Sequence, residues 1–282
     1  HANLQDKQAA DGTSMAPWAR YPAGVAWALQ ESNLPVRGMR AVYASDVPRG
    51  AGLSSSASVE LAFAVGWMHL AGRRIAPMEL AKLCQRAEND YVGVNCGIMD
   101  QAASACAEEG RVMLLDCRSL EYQTLPLPDD VVIIVADTGV RHNLVASAYN
   151  ERRAACEKAV KILKRDLPSI HALWDVDPQD FNRLADGLPP EVEKRARHVV
   201  EEIQRTRVAV QLLQAGDITA FGQLMNACHV SLRDLYEVST PELDVMVQIA
   251  QSLPGCLGAR LTGAGFGGCT VNLVERPQAE AF

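Results

Sequence analysis

The chain has 282 residues, 48% hydrophobic and 22% charged, with a formal net charge of −7, enough for one large domain or two modest ones around a sizeable core. The acidic balance argues against nucleic acid or an anionic membrane surface as the main partner, and no apolar run approaches the roughly 20 residues of a membrane span. Eight cysteines without a CxxC pair read as buried thiols of a reducing, cytoplasmic compartment.

The opening HANLQDKQAADGTSMAP lacks the basic-then-apolar layout of a secretory leader. The first residue is His1 rather than Met, and Phe282 follows a strand-like segment closely, so both ends are expected to be cut. There is no internal repeat or low-complexity linker. The texture changes near residue 140 from mixed strands and helices to long helices, which predicts two lobes sharing a site.

In chain order, RGMRAVYASDVP (37–48) alternates like a strand leading into a glycine loop, and SASVELAFAVGWMHLAG (56–72) is apolar nearly all round, as a buried helix would be. APMELAKLCQRAENDYVG (76–93) reads as a second helix, with Pro77 at a tolerable first-turn position. RVMLLDC (111–117) and VVIIVADT (131–138) are short runs rich in β-branched or apolar residues, the second expected to be a central strand. Helical patterns follow at 143–166, at 190–216 with Gly216 as the stop, at 218–237 and at 241–253. ARLTGAGFGGCTVNLVE (259–275) closes the chain as strand, glycine turn and strand.

The stretch GAGLSSSASVELA (50–62) sits between the predicted strand and helix, the layout in which backbone N–H groups and a helix N-terminus converge on an anion. Gly50 and Gly52 allow sharp turning and close approach of a ligand, while Ser54, Ser55 and Ser56 add hydroxyl groups that can also ligate a divalent ion. It is neither GxxxxGK[ST] nor GxGxxG. Read locally, it is either a phosphate cradle or a turn with serine caps.

Two further segments, GVNCGIMDQ (93–101) and LTGAGFGGC (261–269), complete a set of three ordered motifs. With LLDCRSL (114–120), DTGVRHNLVASAY (137–149), RARHVVEEI (195–203) and SLRDLYEVSTPELD (231–244), the text from Trp18 onward resembles the galactokinase branch of the GHMP small-molecule kinases. The resemblance implies a two-lobed α/β (α+β) GHMP kinase fold: an N-terminal ribosomal-protein-S5-like lobe over about residues 1–120 and a C-terminal helix-rich, ferredoxin-like lobe over 121–282, both incomplete at the outer end.

It also implies ATP-dependent, Mg²⁺-requiring phosphorylation of galactose at the anomeric hydroxyl, in a protein expected to be a monomer. Gly50, Gly52, Leu53, Ser54, Ser55 and Ser56 would hold the nucleotide phosphates, and Trp18 would lie near the adenine. Ser55 and Glu88 would hold Mg²⁺. Asp100 would orient or deprotonate the sugar hydroxyl; Gly97, with no side chain in the way, and Tyr149 would contact the sugar. Taken without the resemblance, Glu88 is a solvated helix residue, Asp100 a first-turn acid favoured by the helix dipole, Trp18 a core residue and Tyr149 a surface tyrosine. Asp137 and Arg141 stand beside Tyr149 as candidates for the border of the sugar pocket. His142, His198 and His229 have no metal-ligand spacing and read as structural. The LTGAGFGGC turn reads as a support, packed hairpin-like against the first loop, or as a second phosphate turn.

One departure matters. The family's signature R-x-N-L-x-G-E-H-x-D-Y, which supplies an arginine beside the catalytic aspartate and most sugar contacts, has no match here, and neither Arg20 nor Arg37 lies in that pattern. The chain as given is therefore expected to be close to inactive. A kinase for N-acetylgalactosamine or another sugar, a galactokinase-like sugar sensor without turnover, and a non-catalytic remnant stay open on sequence grounds.

Overall fold

The computed structural model describes residues 4–9, 11–141 and 145–282, with side chains in all of these except 141 and 145–147. The chain divides into two compact units, His1–Leu125 and Pro126–Phe282.

The first unit holds α1 (Arg20–Glu31), α2 (Ser55–Leu70), α3 (Pro77–Arg86), α4 (Met99–Cys106) and two short strands, β1 (Arg111–Leu115) and β2 (Tyr122–Pro126), joined as a two-stranded sheet. Helix α1 escaped the sequence reading; Pro22 sits in its first turn, where the missing N–H costs nothing. Its apolar face, Val25, Ala28 and Leu29, packs with Leu61, Ala64, Trp67 and Met68 of α2 and with Leu80 and Cys84 of α3 in one cluster. A second, smaller cluster sets Met113 and Leu115 of β1 against Ala81, Ile98 and Ala102.

Three expectations need correcting here. Residues 37–48 form no strand: among the described residues none pairs with them, and Val42 is fully exposed. Alternation alone supplies no partner for the ladder; the segment is instead held by Met39 on the core and by the Trp67 indole N–H, which donates to the Arg37 carbonyl at 3.0 Å. Helix α2 buries one side only, leaving Val65 and Leu70 half exposed. The cysteines are all free, but Cys117 is exposed and Cys96, Cys156 and Cys256 are only half-buried.

The second unit contains β3 (Val131–Arg141), α5 (Val145–Leu163), α6 (Pro178–Leu184), α7 (Pro190–Ala215), α8 (Ile218–Ser231), α9 (Pro241–Ser252), β4 (Cys256–Leu261) and β5 (Gly267–Glu275). Its three-stranded antiparallel sheet runs β3-β5-β4, with Val131 opposite Glu275 and Leu261 opposite Thr270. The central strand is therefore β5, nearly all of it buried, and VVIIVADT is an edge strand, with Ile133 and Val135 exposed at 45% and 43%. An apolar run identifies a strand without ordering it in the sheet. Gly216 ends α7 in the left-handed conformation (φ 74°), and Asp217 and Thr240 cap α8 and α9 through their side-chain oxygens. Phe181, Leu163 and Val200 anchor the core between α5, α6 and α7.

Candidate active site

The loop before α2 turns through three left-handed residues in five: Gly50 (φ 67°), Gly52 (φ 77°) and Ser54 (φ 58°). Glycine accepts this freely, whereas a serine held there costs about 1–2 kcal/mol, strain of the kind stored at functional loops. Ser54 occupies the N-cap position of α2 but its hydroxyl caps nothing. The first bond of the helix runs from the Ser58 N–H to the Ser54 carbonyl at 3.0 Å, so the amides of Ser55, Ser56 and Ala57 have no acceptor within the helix. Ala51 is wholly buried beneath the turn. First-turn amides without a helical acceptor, the half-buried serines 54–56 and the positive end of a 16-residue helix have the makings of an anion cradle.

Directly behind it lies a buried acid cluster. The chain after α3 widens into a π-helical turn, Ala87–Val92, and Glu88 at its start is buried to 5% exposure; the reading of Glu88 as a solvated residue does not hold, because it lies four residues after the fully buried Cys84 and so continues the buried face of α3. Its carboxylate accepts from Gln101 Nε2 at 2.7 Å, and the Cys96 thiol, which donates to Asn89 Oδ1 at 3.3 Å, and the Ser56 hydroxyl are polar neighbours that act on it. Gln101 Nε2 also lies 3.3 Å from Glu60 Oε2, and both Gln101 and Glu60 are fully buried. Burial pushes the Glu60 carboxyl up to about 9, with the nearby charge of Glu88 adding to it. Burial also raises Glu88, the neighbouring polar groups of Cys96, Ser56 and Gln101 oppose that, and the Asp100 charge raises it further. The same cluster lifts the Cys96 thiol to about 12, again mainly through burial.

Asp100 stands in the first turn of α4, half-buried and close enough to act electrostatically on Glu88. The loop leading to it is tied to the π turn: Asn89 Oδ1 accepts from the Cys96 N–H at 2.9 Å, and Gln85 Nε2 donates to the Cys96 carbonyl at 3.3 Å. Gly97, exposed, has open space where a Cβ would project. Thus the structure brings Ser54, Ser55, Ser56, Glu88 and Asp100 to one end of α2 and α4.

Trp18 is 58% exposed, not a core residue. It lies 6.1 Å from the Tyr43 ring, which meets Phe63 at 6.0 Å. These three, with Met15, Pro22 and Met39, line an apolar cavity of about 660 Å³. Phe63 is eight residues along α2 from Ser55, about 12 Å at the helical rise.

Tyr149 belongs to the second unit, 39% exposed on α5 and near enough to Tyr236 to act on it electrostatically. Asp137 accepts from the Gly139 N–H at 2.9 Å; the side chain of Arg141 and all of His142 lie outside the described residues. His198 and His229 are buried in a polar network: His198 Nδ1 lies 2.9 Å from Ser231 Oγ, and His229 Nε2 lies 3.2 Å from Asp244 Oδ1. The glycine turn between β4 and β5 packs on Val238, whose carbonyl accepts from the Phe266 N–H at 2.7 Å and would lie 2.2 Å from any Cβ at Gly265.

Sequence reasoning did not single out Glu60 and Gln101. A signal existed for the first, because Glu60 is the one acidic residue in the otherwise apolar α2. Nothing local marked the second.

The models for the GHMP kinases N terminal domain and the GHMP kinases C terminal match residues 20–108 and 209–282. The chain is 48% identical over 265 residues to a galactokinase of Chloroflexus aurantiacus and 49% identical over 265 residues to one of Roseiflexus, covering 94% of this chain and 68% of each relative. The crystal structure of Lactococcus lactis galactokinase complexed with galactose superimposes with a TM-score of 0.86 at 36% identity, over 95% of this chain and 70% of that one.

Proposed function

Because the chain belongs to the galactokinases of the GHMP kinase family, we propose that its glycine-serine loop binds the phosphates of ATP and that Asp100 acts on the anomeric hydroxyl of galactose, giving galactose 1-phosphate. The observation that carries this reading is the uncapped N-terminus of α2, opened by left-handed Gly50, Gly52 and Ser54, with the carboxylates of Glu88 and Asp100 beside it. Such a site offers amides for negative oxygens and one acid for a hydroxyl proton. Phosphoryl transfer asks a protein for little more than that positioning and charge neutralisation.

The Asp100 carboxylate accepts the hydroxyl proton as the sugar oxygen forms its bond to the γ-phosphorus, and the bond to the ADP oxygen breaks in line. Amides of Ser55 and Ser56 hold phosphate oxygens that gain charge. The purine occupies the apolar cavity beside Trp18, and the roughly 12 Å between Phe63 and the loop matches the reach from a base to its outer phosphates. Gly97 leaves room for a sugar hydroxyl.

The residues also fit a Mg²⁺ ion. Among the described residues no set of three or more His, Cys, Asp or Glu side chains is arranged to hold a metal, but Mg²⁺ commonly takes one or two protein oxygens and completes its shell with phosphate and water. Glu88 and Ser55 are hard oxygen donors, and the hydrogen bonds from Gln101 to Glu88 and Glu60 come from a neutral amide. When bound, the ion would neutralise phosphate charge.

Coupled measurement of ADP release tests the proposal, in a chain that also carries the R-x-N-L-x-G-E-H-x-D-Y signature. Release should require both galactose and Mg²⁺. A rate indifferent to galactose would overturn it, and a preference for N-acetylgalactosamine would reassign the sugar.

A further inference from the structure

We propose that Gln101 is a positioning residue for the phosphate site, its buried side-chain amide holding the Glu88 carboxylate in place while Glu60 anchors the amide from behind. The inference rests on the reading of Glu88 as the carboxylate that serves Mg²⁺ and nucleotide.

Three elements meet at this point: Glu60 comes from the second turn of α2, Glu88 from the π turn after α3, and Gln101 from α4 next to Asp100. A carboxamide has two N–H donors on one nitrogen. Gln101 Nε2 lies 2.7 Å from Glu88 Oε2 and 3.3 Å from Glu60 Oε2, so one nitrogen serves both acids. The short bond goes to the residue that faces the loop, and the long one to the residue with no exposure at all.

A merely structural plug would not be built this way. Glu60 Oε1 and Gln101 Oε1 are buried with no hydrogen-bond partner, a costly arrangement that leucine and methionine at 60 and 101 would avoid. Two buried acids and an amide, incompletely satisfied, are retained where the third acid, Asp100, adjoins the amide in sequence. The geometry links the placement of Glu88 to that of α4, so that the carboxylate beside the phosphates and the acid beside the sugar are fixed by one side chain. Outer partners of this kind typically change metal affinity by 10- to 100-fold when removed.

The test is calorimetric binding of ADP to the 282-residue chain, without metal and across a MgCl₂ titration, with circular dichroism as the control for folding. Gln101→Met, an apolar near-isostere, is expected to leave metal-free ADP affinity within about twofold and to raise the Mg²⁺ concentration for half-maximal enhancement at least tenfold. Gln101→Asn keeps the amide but withdraws it by one methylene; it should fold even where Met does not, and should move the Mg²⁺ midpoint in the same direction. An unchanged midpoint in a folded variant, with Mg²⁺ dependence intact in the parent chain, would overturn the positioning role alone. If the parent chain binds ADP with no response to Mg²⁺, the reading of Glu88 falls and this inference falls with it.

Discussion

Gly222 of α8 lies backbone to backbone on Gly258 of β4: a Cβ at 258 would stand 2.2 Å from the Gly222 carbonyl oxygen, and one at 222 would stand 2.4 Å from the Leu257 carbonyl oxygen. Neither backbone can retreat cheaply, since β4 is paired to β5 and α8 is held from the other side by α7. Gly222→Ala should therefore destabilise the second unit by about 1–3 kcal/mol through overpacking. Thermal unfolding should show a midpoint several degrees lower, and an unchanged midpoint would mean that the helix slides freely on the sheet.

At the phosphate loop, Gly52→Val places a β-branched side chain at φ 77°, a conformation that L residues rarely adopt. ATP affinity should fall by at least tenfold, because the chain must either strain or open the turn. Ser55→Ala should weaken binding less without metal than with it. If calorimetry returns parental affinity for Gly52→Val, the loop is not the cradle.

Chemistry and binding separate at Asp100. Asp100→Asn keeps shape and some hydrogen bonding but removes the proton acceptor, so turnover should drop on the order of 10²–10⁴-fold while ATP affinity barely moves. The comparison belongs in a chain carrying the N-terminal signature, with rates taken at saturating sugar. Near-parental turnover would return Asp100 to the role of a helix-start acid.

His198 predicts a dependence on pH. Burial holds its imidazole down at about 4 against an ordinary 6.5; Arg205, Arg260 and Arg195 push the same way, and Glu202 opposes them. Above pH 6.5 the ring is neutral in both folded and unfolded chains and contributes no slope. Between 6.5 and 4 only the unfolded chain takes the proton, so stability should fall with falling pH by up to about 1.4 kcal/mol per unit, about 3 kcal/mol in all. Urea unfolding at pH 7 and pH 5 measures it, and His198→Gln should reduce the difference between the two.

The turn of the glycine-serine loop was legible because its signal is local. Glycine at 50 and 52 followed by serines marks a turn that must enter left-handed space, and the structure puts both glycines there. Gly216 and Pro77 likewise marked the helix boundaries they occupy. Glu88, Asp100, Gly97, Trp18 and Tyr149 were identified only by family resemblance; QRAEND looks like an exposed helical stretch, although Glu88 falls one helical turn after the buried Cys84.

The sequence by itself determined the long helices from 143 onward, the glycine turns and the family, because each of these is written in short-range spacing of residue types. What only the tertiary structure decided depends on partners distant in the chain. The alternating segment 37–48 stayed unpaired, and β3 took the edge of its sheet while β5 took the centre. Glu60 and Gln101, 41 residues apart, became neighbours in the buried acid cluster. Strand pairing and burial are free energies of contact, set by which surfaces meet and exclude water. No local pattern carries that information until the elements have packed.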